Sequence, residues 1–221
     1  MKNVTVEWYR NTTWDSKIEK MFEERIQRSR GMFHKAQYLF IQSYHLLEND
    51  DKNIQKIGIN LMERVFRDYS EEWFTNIRGR SILGEHYKKN KKYGHSEKQY
   101  RTLLQLVKKY NRSGTDGLTE VHLAEIILLT NQENKYKEMY KLVVLNFPKN
   151  QIGLNNYKFF YTKICAYLCD KMNKTAKAKM FAKTALEIAK ITEPQFSRHK
   201  TVGIVRTTKR ELTMLKKILT R

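Results

Sequence analysis

Two cysteines and six histidines are the side chains of this 221-residue chain best suited to hold a metal or act as nucleophile or base. Cys165 and Cys169 stand four apart, so on a helix they share one face. A metal site would need further Cys or His ligands at a recognisable spacing, and none is near in the sequence. A redox pair usually has the spacing Cys-x-x-Cys. A chain with so few cysteines suits a reducing cytosol, and these two read as buried packing. The histidines (His34, His45, His86, His95, His122 and His199) are scattered, and no His-Glu-x-x-His occurs. Gly-x-Ser-x-Gly, the P-loop and Gly-x-Gly-x-x-Gly are absent as well. These residues predict no metal, no cofactor and no catalytic centre.

Arg28-x5-His34 and Arg80-x5-His86 resemble the Arg-x4–6-His motif of the helical HEPN ribonucleases. That resemblance implies a histidine acting as acid and base on a ribose 2′-hydroxyl and an arginine neutralising phosphate. Arg80 and His86 also fall inside a longer pattern, where packing or groove-facing roles account for them.

The longer pattern runs from Ile77 to Leu104 and reads as two antiparallel helices joined at Lys91–Gly94. Leu83, Gly84 and Tyr87 share one face of the first helix; Ser96, Tyr100 and Leu103 share one face of the second. Small Gly84 and Ser96 let the helices approach, and the larger side chains fill the remaining space. Leu83-Gly84-x2-Tyr87 followed by Ser96-x3-Tyr100 resembles the tetratricopeptide repeat, with Arg80 in place of its Trp and Lys108 in place of its Pro. Leu123, Ala124 and Ile127 repeat the first-helix slots, with Tyr136, Tyr140, Val143 and Pro148 after them. Tyr136 stands where a small residue is expected. Cys165, Ala166 and Cys169, then Ala178, Ala182 and Ala185, repeat the slots again. Leu83 to Leu123 is 40 residues and Leu123 to Cys165 is 42, longer than the 34 of that repeat.

Only two prolines and nine glycines interrupt 26.6 kDa of chain, which favours helices. Mean hydropathy is −0.71 with 40% apolar residues, so the chain is water-compatible yet can bury a core. It has no run of 18 apolar residues, and its N-terminus lacks a signal-peptide h-region; the expectation is a cytoplasmic protein with no membrane contact. Residues 1–75 hold 12 Lys+Arg and 12 Asp+Glu, so all of the formal +20 belongs to residues 76–221. Such an excess serves a nucleic acid or an acidic protein, or forms a lysine-rich solvated shell.

Taken in order, Val4, Val6 and Trp8 alternate with polar residues and suggest an extended arm over residues 1–15. Ser16-x-x-Glu19, reinforced by Asp15, opens a first helix that ends near Gly31. Helices over Phe33–Leu47 and Ile54–Tyr69 follow, and Gly58, Met62 and Val65 repeat the spacing of Ser96, Tyr100 and Leu103. Asn111–Gly117 is the clearest loop. Helices over Leu154–Asp170 and Lys174–Ile191 precede Pro194. Thr208-x-x-Glu211 opens the last helix, with Leu212, Leu215, Ile218 and Leu219 on one face. Most aromatics fall at core spacing, but Tyr157, Phe159, Phe160 and Tyr161 cannot all face one core, so at least one is expected to be exposed or to lie at an interface.

Together these features predict an all-α fold: a right-handed α-solenoid of about four antiparallel helical pairs, one domain over 1–221, with residues 206–221 as a capping helix. In the repeats it resembles, first helices line a concave groove. Carrying those slots over gives Arg78, Ser81, Glu85 and Lys88, then Leu118, Val121, Glu125 and Leu128, then Phe160, Lys163, Tyr167 and Asp170. The function expected is non-enzymatic binding of a peptide or partner helix, with basic residues orienting an acidic segment. The alternatives are RNA or DNA binding through Arg198, Lys200, Arg206, Lys209 and Arg210, or a HEPN-like ribonuclease.

Overall fold

Small residues at matched positions decide how these helices pair. In the computed structural model Gly84 and Ser96 face each other across two antiparallel helices, and Ser96 Oγ donates a 2.7 Å hydrogen bond to the Gly84 carbonyl. The preceding pair has the same arrangement with the partners exchanged: Ser43 Oγ donates to the Gly58 carbonyl at 2.7 Å. Both serines are fully buried, so the bond also satisfies a hydroxyl that packing has removed from water.

The structure describes residues 7–112, 114–148, 150 and 152–221. Ten α-helices lie among them: α1 (Ser16–Arg28), α2 (Met32–Leu47), α3 (Lys52–Asp68), α4 (Trp73–Lys89), α5 (Tyr93–Tyr110), α6 (Thr119–Leu129), α7 (Tyr136–Met139), α8 (Asn155–Lys171), α9 (Thr175–Ile188) and α10 (Lys209–Thr220). Packing is mainly between sequential helices: α2 with α3, α4 with α5, and α8 with α9. Where the sequence was read as one domain, the contacts group the chain into two compact units, Met1–Thr115 and Asp116–Arg221.

A repeated turn closes the first helix of three pairs. Lys91, Asn131 and Asn173 each adopt a left-handed conformation, with φ of 56°, 49° and 55°. The next amide in each case bonds back five residues: Lys92 to Tyr87 (2.8 Å), Gln132 to Ile127 (3.1 Å) and Lys174 to Cys169 (2.8 Å). This is the left-handed helix stop that captures carbonyls otherwise unpaired. Tyr87, Ile127 and Cys169 are the slots that the sequence spacing aligned, and all three are buried.

The second helix of the third pair departs from the pattern. A 3-10 turn (Glu133–Lys135) leads into four-residue α7, which widens into a π-helical segment over Tyr140–Leu145. Tyr136 occupies the slot held by Gly58, Ser96 and Ala178 in the other pairs, and its ring is buried. A ring there blocks the close approach that a glycine, serine or alanine permits. Tyr161 Oη donates to the Val143 carbonyl at 3.3 Å inside the irregular segment.

Several helix boundaries differ from the sequence reading. Asp15, not Ser16, is the N-cap of α1, its carboxylate accepting from Ile18 N at 2.7 Å. Helix α9 ends at Ile188, short of Pro194. Thr208 and Glu211 do form a capping box at the start of α10. Val4 and Val6 lie outside the described residues. The following segment is docked: Trp8 packs on Phe22 and Tyr38 at ring separations of 5.4 and 4.8 Å. Fully buried Gln42 brackets Asn11, accepting from its backbone N at 3.0 Å and donating to its carbonyl at 2.7 Å.

Helix α8 packs against α6, the π segment, α9 and α10, and its run of aromatics is divided between the interior and the partly exposed side. Phe159 and Tyr161 are buried and the other two half-buried. Arg80, in the repeat's Trp position, lays its guanidinium 3.7 Å from the centre of the Phe66 ring and donates to Gln99 at 2.8 Å.

A Cβ on Gly84 would stand 2.9 Å from the Tyr100 ring, which is almost wholly buried, whereas one on Gly94 would meet nothing within 4 Å. Gly84→Ala should therefore lower the thermal midpoint, and Gly84→Leu should cost about 1–3 kcal/mol by overpacking. Gly94→Ala should be neutral or stabilising by up to about 1 kcal/mol through helix propensity. Melting curves of the three variants check this ordering.

Candidate functional site

The predicted groove residues fall in both units, and each set has its own surroundings. In the first unit Arg78 is exposed, and Ser81, Glu85 and Lys88 are half-buried along one face of α4. Lys88 and Glu85 pair at 2.7 Å. In the second unit Leu118 and Val121 are buried almost completely, so neither offers a binding surface, which corrects their placement in the groove. Their side of α6 packs inward because this short helix buries residues on most of its circumference.

The other second-unit slots converge. Glu125 and Leu128 from α6, and Lys163, Tyr167 and Asp170 from α8, line a single cleft of about 600 Å³. Its remaining wall is α10, through Arg210, Glu211, Met214, Lys217, Ile218 and Arg221. Phe160 lies just outside, half-buried, its ring 4.9 Å from that of His122 and 5.2 Å from Lys163 Nζ.

Helix α10 was expected only as an end cap. It packs on α9 and also on α8, where it binds three predicted groove residues. Lys163 Nζ donates to Glu211 at 2.7 Å, and Tyr167 Oη reaches the Glu211 carbonyl at 3.5 Å. Arg221 grips both oxygens of Asp170 at 2.6 Å. Burial alone would raise the Glu211 carboxyl; the hydrogen bonds from Lys163 and Thr208 outweigh it and hold the group below its usual range. Tyr167 is pushed up to about 12 by burial and by the charge of Glu211.

The cleft has an apolar interior and a charged rim. Leu129 and Met214 remain 50% and 42% exposed at its mouth. Lys171, Arg210 and Lys217 stand on the rim. Leu129 and Met214 were not foreseen: α6 is apolar nearly all round, Met214 lies off the apolar stripe of α10, and their neighbours are set only by the docking of α10.

The alternative surface is exposed throughout: Arg198, Lys200, Arg206, Lys209 and Arg210, with Phe196 48% exposed beside them. Arg28 is 81% exposed and approaches only Glu24, at 4.0 Å. His86 faces Asn90, and Arg80 is engaged with Phe66 and Gln99, as described above. Cys165 and Cys169 are buried reduced thiols, and burial pushes Cys169 up to about 11. Among the described residues no cluster of three His, Cys, Asp or Glu could hold a metal ion, and no helix is long and apolar enough to cross a membrane.

Compared with known proteins, the chain matches no family model, no curated protein and no solved structure.

Glu211 is depressed on folding, so its contribution is complete above about pH 4.5 and is lost as pH falls through the lower folded value. Amide protection factors within α10, with the intrinsic exchange rate divided out, should fall in acid over that window, and Glu211→Gln should remove the pH-dependent step. The thiols should label slowly with a disulfide reagent in the native protein and quickly after denaturation, since both are buried and the raised Cys169 also holds little thiolate.

Proposed function

We propose that this protein is a non-enzymatic interaction module resembling helical-repeat proteins of the tetratricopeptide kind, and that it holds a short partner segment in the cleft between α6, α8 and α10. One observation carries the reading: five residues chosen from the first-helix slots of two successive pairs line one cleft with an apolar interior. The repeated left-handed turns support a repeat architecture, because they place equivalent residues in equivalent positions at intervals of 40 and 42.

The chemistry of the lining indicates the partner. Leu128, Leu129, Met214 and Ile218 suit aliphatic side chains, and methionine adapts to varied shapes. Lys171, Arg210 and Lys217 would steer and orient an acidic flank. Lys163, Asp170 and Glu211 are already paired within the protein and serve the cleft by fixing its walls. An acidic segment with two or three aliphatic anchors, bound as a helix or extended strand, fits this arrangement.

The test is selection from a displayed peptide library on the folded protein. Peptides combining Asp or Glu with Leu, Ile or Met should be enriched. Leu129→Asp should weaken them roughly tenfold or more, since it removes an apolar contact at the mouth and sets a carboxylate against an acidic segment. Lys217→Glu should mainly slow association and flatten its salt dependence. Enrichment indifferent to both substitutions would overturn the reading.

A further inference from the structure

The first unit exposes aromatic rings that the spacing of its helices would assign to a core. Phe33, Tyr44 and Phe74 are 48%, 42% and 40% exposed. They belong to α2 and α4, which pack against each other. Phe33, Phe40 and Tyr44 share one face of α2, and Phe74, Ser81 and Glu85 stand 41 residues on along α4 at the same spacing.

Cations interleave with these rings. The Arg78 guanidinium lies 5.6 Å from the Phe40 ring centre and 5.5 Å from that of Phe74, bridging the two helices. Phe74 meets Trp73 at 5.6 Å, and Trp73 faces Tyr110 at 6.3 Å. Arg112 lies 5.1 Å from the Trp73 ring and Lys109 4.8 Å from that of Tyr110. The result is a ribbon of rings from Phe40 on α2 through Phe74 and Trp73 to Tyr110 at the end of α5, flanked by Arg78, Arg112 and Lys109. Of the carboxylates beside it, Glu85 pairs with Lys88 at 2.7 Å.

We propose that the first unit binds single-stranded nucleic acid along this ribbon, with bases stacked on the exposed rings and phosphates set against Arg78 and Arg112. Flat π-faces interleaved with cations suit unpaired bases, because every base has a face to stack and every nucleotide a phosphate to neutralise. A duplex keeps its bases stacked on one another and cannot use the rings. Residues 1–115 carry 23 Lys+Arg against 14 Asp+Glu, the sign that a polyanion requires. This surface is separate from the cleft of the second unit and does not depend on it.

The experiment titrates the full chain into labelled 12-nucleotide single strands of RNA and DNA and into a duplex of equal length, at about 50 and 200 mM salt. Single strands should bind more tightly than the duplex, quench tryptophan fluorescence and weaken as salt rises. Phe74→Ala should weaken binding by about fivefold or more, the loss of one stacked base. Arg78→Lys, which keeps the charge but removes the planar group, should weaken binding while leaving the salt dependence. Both sites are exposed, and an unchanged thermal melt of each variant shows that folding is not the cause. Equal affinity for the duplex, no binding to any oligonucleotide, or loss only when Lys209 and Arg210 become Glu would overturn the proposal. So would self-association abolished by Phe74→Ala with no strand bound, which would make a second copy of the chain the occupant.

Discussion

The closeness of paired helices governs the rest of this structure. Where a glycine on one helix meets a serine on the next, the backbones approach far enough for the hydroxyl to reach a main-chain carbonyl. Ser96 and Gly84 do this in one pair, Ser43 and Gly58 in another. Exchanging which helix carries the serine leaves the contact intact, because the requirement is a small residue on each side and one donor between them. Tyr100, Met62 and their neighbours then pack around the contact with no exposed edge. The third pair has Tyr136 in that slot, and its second helix loses regular α geometry within four residues.

In the second unit one acidic residue has two structural tasks. Glu211 closes the capping box of α10 and receives the ammonium of Lys163 from α8. The start of the terminal helix is thereby fixed by its own sequence, and its position by a half-buried ion pair in another element. Asp170 and Arg221 hold the far end. Such pairs contribute modestly to stability when partly solvated, but they specify where a helix sits. Their placement turns a helix end into a cleft wall and leaves Leu129 and Met214 at its mouth.

The two units present different chemistry to partners. The cleft of the second is apolar with a basic rim, suited to an acidic segment with aliphatic anchors. The ribbon of the first is aromatic and cationic. An excess of 20 positive charges favours polyanionic and acidic partners generally, while the rings and aliphatic groups determine which of them each surface accepts.

Local order was written in the sequence. The all-helical character follows from scarce glycine and proline and from apolar residues at helical spacing. The pairing slots followed from side-chain size, and the capping box at Thr208 from two residues three apart. The equivalence of Tyr87, Ile127 and Cys169 was visible as a spacing before it appeared as one turn. Tertiary structure decided what spacing leaves open. A helical stripe shows that a residue faces something, but not whether that is a core, a groove or another helix. Val121 and Lys163 occupied comparable slots, yet one is core and the other anchors α10. Phe33 and Phe74 are aromatic yet remain 48% and 40% exposed, which their spacing along the chain does not reveal. The cleft is built from residues up to 96 positions apart, Glu125 to Arg221, and only the docking of α10 brings them together.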